Sequence, residues 1–226
     1  MASSKKDLLE RIATCVDKGK VNLQSLHPPE MKGQEGADEF VQMALKEGIS
    51  PDEILREGLV VGMGQVGEKF KRNEIFLPDV LISAKAMTAG MEHLRPYFLS
   101  GEIQHKARIV MGTVTGDLHD IGKKIVAMIF EGGGWEVIDY GVDVSAESFI
   151  EAIDRYSPHA VGLSALLTTT MVCMEQITKD IKSAHPQVLV IIGGAPISEA
   201  FAKRIGADMY SPDPQGALEL LNASLT

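Results

Sequence analysis

Cysteine is almost missing from this 226-residue chain, which has only Cys15 and Cys173, far apart and in no metal-ligand spacing. That excludes a disulfide framework and a cysteine zinc site, and both thiols are expected to stay reduced. Positive charge is also scarce, with 22 Lys+Arg against 31 Asp+Glu and a formal charge of -9. Such a balance repels a phosphate backbone and an anionic membrane surface, so neither nucleic acid nor membrane is an expected partner. No apolar run approaches the roughly 18 residues of a membrane span. The N-terminal Met-Ala-Ser-Ser-Lys-Lys-Asp leads into an amphipathic segment rather than a signal-peptide core. A cytoplasmic location is expected.

The chain does contain hydrophobic residues in quantity, 45% of the total, enough for one large core or two modest ones. Their period changes near Gly101, which predicts a helical domain over 1–100 and an α/β domain over 101–226. In the first half Leu8, Leu9, Ile12, Ala13 and Val16 share one helical face. The polar, Gly- and Pro-containing stretch Val21–Ala37 reads as a loop, and a short helix follows over Asp38–Lys46. Ser50-Pro51-Asp52-Glu53 places a cap, a first-turn proline and a glutamate three residues after the cap, predicting a helix that runs to about Lys71. Pro78 opens the fourth helix, with Val80, Ala84, Met87, Met91 and Leu94 spaced as a bundle seam. In the second half, apolar runs at 107–114, 135–140, 160–166, 188–192 and 208–210 alternate with amphipathic stretches at 121–131, 146–156, 171–184, 198–205 and 215–221. Five buried parallel strands joined by crossover helices make a doubly wound sheet, whose ligand site lies beyond the carboxyl ends of the strands.

The loop after the first strand carries most of the chemistry: Gly112-Thr113-Val114-Thr115-Gly116-Asp117-Leu118-His119-Asp120-Ile121-Gly122-Lys123-Lys124. A histidine here can offer one ring nitrogen to a metal while a carboxylate two residues earlier takes the other N–H and fixes the tautomer. Gly122 would let a planar ligand approach the backbone. The plainer alternative makes Asp117 a helix cap and His119 a surface histidine. A phosphate loop is disfavoured, because both Gly-x-Gly-x-x-Gly and a Gly-Lys-Ser/Thr ending are missing. Gly193-Gly194-Ala195-Pro196, taken alone, is a turn.

Three loops together resemble the cobalamin-binding proteins whose hallmark is Asp-x-His-x-x-Gly, then Ser-x-Leu, then Gly-Gly, each after a successive strand of a Rossmann-like (flavodoxin-like) domain. Here these are Asp117-Leu118-His119-Asp120-Ile121-Gly122, Ser164-Ala165-Leu166 and Gly193-Gly194. The stretch from Gly62 to Phe70 and Phe76-Leu77-Pro78-Asp79-Val80 is similar to the four-helix cap that covers the corrin in methionine synthase and its carrier relatives. Ser164 to Met171 most resembles the stand-alone carriers of methylamine- and methanol-type methyltransferase systems, because Thr169 stands where methionine synthase tends to have proline.

The resemblance implies cobalamin bound base-off, with His119 on cobalt. Gly116 to Gly122 would form the ligand loop, and the benzimidazole tail would lie in a slot lined by the segments Ser164–Thr168, including Leu166, and Gly193–Ala195, including Gly194. A hydroxyl from Thr170 or Ser164 would complete a relay through Asp117, and Phe70, Leu77 and Val80 would shield the methyl-bearing face. The implied function is a methyl carrier cycling between Co(I) and methyl-Co(III), itself a non-catalytic subunit. Its implied partners are a substrate-specific methyltransferase, a second methyltransferase passing the methyl to a thiol or tetrahydrofolate, and a reductive activation protein. A cobalamin-dependent regulator would need a basic DNA-binding domain, for which the charge of -9 leaves little room. A mutase cobalamin subunit would share the His119 loop but not the helical cap.

Overall fold

The computed structural model describes residues 5–225, which form two compact units. One runs to His105 and also takes in Gly132–Gly134; the other comprises Lys106–Glu131 and the chain from Trp135 onward.

The first unit is helical: α1 (Lys5–Lys18), α2 (Ala37–Lys46), α3 (Pro51–Glu53), α4 (Val60–Lys71) and α5 (Leu77–Leu99). Helices α3 and α4 are joined without a break by a π-helical stretch, Ile54–Leu59, in which the Val60 N–H donates to the Leu55 carbonyl five residues back. One rod over 51–71 therefore stands where the sequence predicts one helix. Its start is the expected capping box: the Glu53 N–H donates to the Ser50 hydroxyl at 3.3 Å, and the Glu53 carboxylate accepts from the Ser50 N–H. The predicted loop over Val21–Ala37 contains only a short 3-10 turn, Pro29–Met31. It is tied down by Glu39, whose carboxylate accepts from the Leu23 and Gly36 N–H groups, and by the fully buried Lys20, which donates to the Ser25 carbonyl at 2.8 Å.

The seam of α5 differs from the sequence expectation. Its buried residues are Val80, Ser83, Ala86, Met87, Gly90 and Leu94, whereas Ala84 and Met91 sit half-buried at its margin. Close helix approach selects small residues here: a Cβ at Gly90 would lie 2.7 Å from a Leu59 methyl.

Cys15 lies on the buried face of α1, and burial pushes its thiol up to about 12, partly opposed by the Lys20 cation. Iodoacetamide on the native protein at pH 8 should therefore modify the half-buried Cys173 and spare Cys15, while both react in urea; peptide mass spectrometry reads the difference. Equal native labelling of the two would contradict the packing of α1. Above pH about 9 and up to about 12 the unfolded chain ionises this thiol and the folded chain does not, so this group lowers stability as pH rises through that window.

The second unit is a five-stranded parallel sheet in the order β2-β1-β3-β4-β5, with β1 (Arg108–Thr113), β2 (Glu136–Asp139), β3 (Ala160–Ser164), β4 (Leu189–Gly193) and β5 (Met209–Tyr210). The intervening helices are α6 (Ile121–Gly132), α7 (Ala146–Tyr156), α8 (Met171–Ala184) and α9 (Glu199–Ile205), with α10 (Pro214–Ala223) closing the chain. Each strand lies within two residues of its predicted end. Val110, Val161, Leu163, Val190 and Ile192 fill one layer with Phe149 and Ile153 of α7 and Met174, Ile177 and Ile181 of α8. Connections from β1 and β3 run to opposite sides, to β2 and to β4, so the switch point of this doubly wound sheet falls between β1 and β3.

Candidate functional site

In register, Thr113 pairs with Ser164 and Ser164 with Gly193, so the last residues of three adjacent strands stand side by side. The loops that leave them converge on Asp117, which is fully buried. Gly116, at φ 81°, turns the loop after β1 inward. One carboxylate oxygen of Asp117 accepts from the His119 N–H at 3.0 Å and pairs with the His119 Nδ1 at 2.8 Å. The other accepts from the Leu166 N–H at 2.8 Å, the Leu167 N–H at 3.3 Å and the Thr170 hydroxyl at 2.8 Å. Burial alone would raise the Asp117 pKa. The hydrogen bonds from Leu166, from the His119 backbone and ring, and from Thr170 outweigh it and hold the carboxyl far below the usual carboxylate range.

An ionised Asp117 can only accept, so His119 must carry a proton on Nδ1, and Nε2 is the nitrogen left for a metal. From the other side, the Thr113 hydroxyl donates to the His119 carbonyl at 3.0 Å. The imidazole itself is half exposed, at 51%. Around it the surface is apolar: Leu118 and Ile121 are 72% and 67% exposed, Val172 is 71% exposed, and Leu166 and Leu167 are also exposed. Each is within two residues of His119 or of a group bonded to Asp117. Asp120 pairs with Lys124, and a Cβ at Gly122 would meet open space.

The predicted residues of the α/β unit thus come together at one edge of the sheet: Gly116 to Gly122, Ser164 to Thr170, and Gly193 to Ala195. Thr170, buried, is the hydroxyl on Asp117; Ser164 enters through its carbonyl, which accepts from the Val114 N–H at 3.0 Å. Thr168 and Ala195 are exposed. Gly194, at φ 136°, presses against the loop after β3, where an added Cβ would lie 1.8 Å from the Ala165 carbonyl oxygen. In the helical unit Phe70 and Leu77 are half-buried and Phe76 is exposed, while Val80 is fully buried on the α5 seam and presents no surface to a ligand. The Thr113 bond to His119, the Leu166 and Leu167 amides on Asp117, Val172 as surface, and Asp143 were not anticipated from the sequence. Backbone donors carry no side-chain signature; only the Gly141-Val142-Asp143 turn offered a sign.

The arrangement suits a metal that brings its own ligand plane. Among the described residues no three His, Cys, Asp or Glu side chains converge as a chelating set, so His119 offers a single nitrogen amid a broad apolar surface. A macrocycle fits that offer; a bare ion does not.

Residues 107–219 match the family described as the B12 binding domain, and residues 33–95 match a second family of the same description. The chain is 40% identical over 193 residues to the trimethylamine corrinoid protein of Methanosarcina barkeri, covering 84% of this chain and 89% of that protein. The fold is similar to a chain of the methanol:cobalamin methyltransferase complex MtaBC from Methanosarcina barkeri, with TM-score 0.81 and 28% identity over 96% of this chain and 79% of that one. It is also similar to a cobalamin-binding protein from Desulfitobacterium hafniense, with TM-score 0.73 and 27% identity over 97% and 98% of the two chains.

Proposed function

The chain belongs to the corrinoid proteins with B12-binding domains, and from that membership we propose that it is a methyl carrier holding cobalamin base-off with His119 as the lower axial ligand. The observation that carries this reading is the half-exposed imidazole whose Nδ1 is committed to the buried Asp117. Bound cobalamin would supply the reactive centre, a cobalt alternating between nucleophilic Co(I) and methyl-Co(III).

The protein's part is orientation, proton control and exclusion of water. Asp117 orients the His119 ring and fixes the tautomer that leaves Nε2 free, and Thr170 holds the far oxygen of that carboxylate so that the ring cannot rotate away with it. Leu118, Ile121, Leu166, Leu167 and Val172 would lie under the macrocycle and exchange exposed apolar surface for contact. Gly193, Gly194 and Ala195, with Ser164 and Thr168, would line the slot for the displaced benzimidazole, where bare backbone admits a flat ring. By the resemblance, Phe70 and Leu77 would keep water from the methyl-bearing face.

Partners follow from the division of labour. A substrate-specific methyltransferase would deliver the methyl group, a second would pass it to a thiol or tetrahydrofolate, and a reductive activation protein would restore Co(I). The likeness to a chain of a solved methyltransferase complex supports the first of these.

Reconstitution with hydroxocobalamin, reduction to Co(II) and electron paramagnetic resonance test the ligation. The wild-type signal should show splitting by one axial nitrogen that is unchanged when the benzimidazole carries nitrogen-15, and His119→Ala should lose it. Splitting that follows the benzimidazole label, or a protein that keeps no corrinoid through gel filtration, would sink the reading.

A further inference from the structure

We infer that Asp143, in the loop after β2, is a positioning residue that fixes the backbone of the histidine loop and through it the place of His119; this rests on the proposed ligation by His119. The bonds that reach Asp117 from the loop after β3 grip only its carboxylate. The Asp117 N–H donates to the Val114 carbonyl at 3.1 Å, a bond within the same loop that spans Gly116, so an anchor for the Gly116-Asp117 peptide from outside that loop has to come from elsewhere.

Asp143 supplies that hold by two bonds at once. Its carboxylate accepts from the Gly116 N–H at 2.7 Å, and its own N–H donates to the Asp117 carbonyl at 3.1 Å. Both ends of the Gly116-Asp117 unit are thereby tied to one residue. To make both bonds Asp143 takes a left-handed backbone conformation, φ 55°, which disfavours most side chains and which Asp and Asn tolerate best after glycine. Neighbouring bonds extend the grip: the Val144 N–H donates to the Thr113 carbonyl, the Thr115 hydroxyl donates to the Val144 carbonyl at 3.0 Å, and Val114 bridges Val144 in parallel pairing. Residues 113–117 are thus clamped between the loops after β2 and β3, and His119, two residues on, is tied back to that clamp by its N–H on Asp117 and by its carbonyl on Thr113. Asp143 is exposed, so its role depends on accepting a hydrogen bond and on its backbone conformation, and not on buried charge.

Those two properties can be separated. Asp143→Gly keeps the left-handed backbone at little cost and removes the acceptor; Asp143→Asn keeps both. In the cofactor-free protein, Asp143→Gly should exchange its Gly116 amide about fivefold to tenfold faster, the worth of one hydrogen bond, with the thermal midpoint within about 3 °C of wild type. After reconstitution with hydroxocobalamin and reduction, the ratio of nitrogen-split to unsplit Co(II) signal should fall by a similar factor, and Asp143→Asn should restore both readouts. A wild-type ratio in Asp143→Gly overturns the inference, as does loss of the split signal in Asp143→Asn, which also decides the matter if the glycine variant does not fold. Absence of splitting in the wild type itself would instead remove His119 ligation, and the amide-exchange arm would still report whether Asp143 holds Gly116.

Discussion

Asp117→Ala is expected to lower the stability of the α/β unit by about 3–5 kcal/mol, the largest loss of any side-chain truncation in the histidine loop. Five donors meet the carboxylate: the Leu166 and Leu167 amides, the Thr170 hydroxyl, and the backbone and ring N–H groups of His119. Alanine leaves them facing a fully buried void, and each buried donor without a partner costs about 1–3 kcal/mol. Partial entry of water keeps the total below the simple sum. Asp117→Asn sharpens the test. Because each oxygen accepts from at least one backbone N–H, neither amide orientation can satisfy the site: in one the –NH2 group faces the Leu166 and Leu167 N–H groups, and in the other it faces the His119 N–H and a ring nitrogen that can accept only if the imidazole changes tautomer. Asparagine, nearly the same shape, should therefore still cost about 2 kcal/mol or more. Urea unfolding followed by circular dichroism measures both. A loss under about 1 kcal/mol for Asp117→Asn would mean that the carboxylate is not ionised and not fully bonded in solution.

How far the sequence already disclosed this site depends on which atoms do the work. Asp117 and His119 were legible because a carboxylate and an imidazole two residues apart after a strand have few other uses, and the strand ends were legible because the apolar runs end at Val114, Leu166 and Ile192, each within two residues of the observed ends at Thr113, Ser164 and Gly193. The choice of Thr170 over Ser164 was not, since both hydroxyls lie near the strand end and only the turn over 165–170 decides which reaches Asp117. The Leu166 and Leu167 amides were invisible for a deeper reason: every residue but proline has an N–H, so nothing in the letters marks it. In the helical unit the capping box at Ser50 was readable residue by residue, but the π-helical stretch Ile54–Leu59 was not, because a shift from four to five residues in the hydrogen-bond pattern leaves no compositional trace. The α5 seam was misplaced at Ala84 and Met91 for want of a partner: apolar spacing weighs size and hydrophobicity, while the packed helices chose Ser83 and Gly90 for being small. Val80 was assigned to the ligand side on resemblance, and its own helical register, three and seven residues before Ser83 and Met87, puts it in the core.

Two adjacent glycines offer the second large effect, because they should behave oppositely. Gly194→Ala is expected to cost about 3–4 kcal/mol and lower the thermal midpoint by about 10 °C, whereas Gly193→Ala should fold within about 1 kcal/mol of wild type. At Gly193 an added Cβ meets no atom within 4 Å. At Gly194 it would stand 1.8 Å from the Ala165 carbonyl oxygen and 2.9 Å from its carbon, in a backbone conformation, φ 136°, that side chains rarely adopt. Relief would require moving the Ala165 peptide, and that peptide is held at both ends. The Ala165 N–H donates to the Gly193 carbonyl at 3.2 Å, and the next amide, Leu166, donates to Asp117 at 2.8 Å. Any shift large enough to admit the methyl therefore pulls Leu166 away from the carboxylate that orients His119. The damage should appear even without cofactor, as faster exchange of the Leu166 amide beside the fall in midpoint. Gly193→Ala should keep that amide protected and, by adding a methyl to the proposed slot, weaken only cobalamin binding. Equal midpoints for the two variants would show that the contact between residues 165 and 194 is not maintained in solution, and the link from the slot to the histidine would go with it.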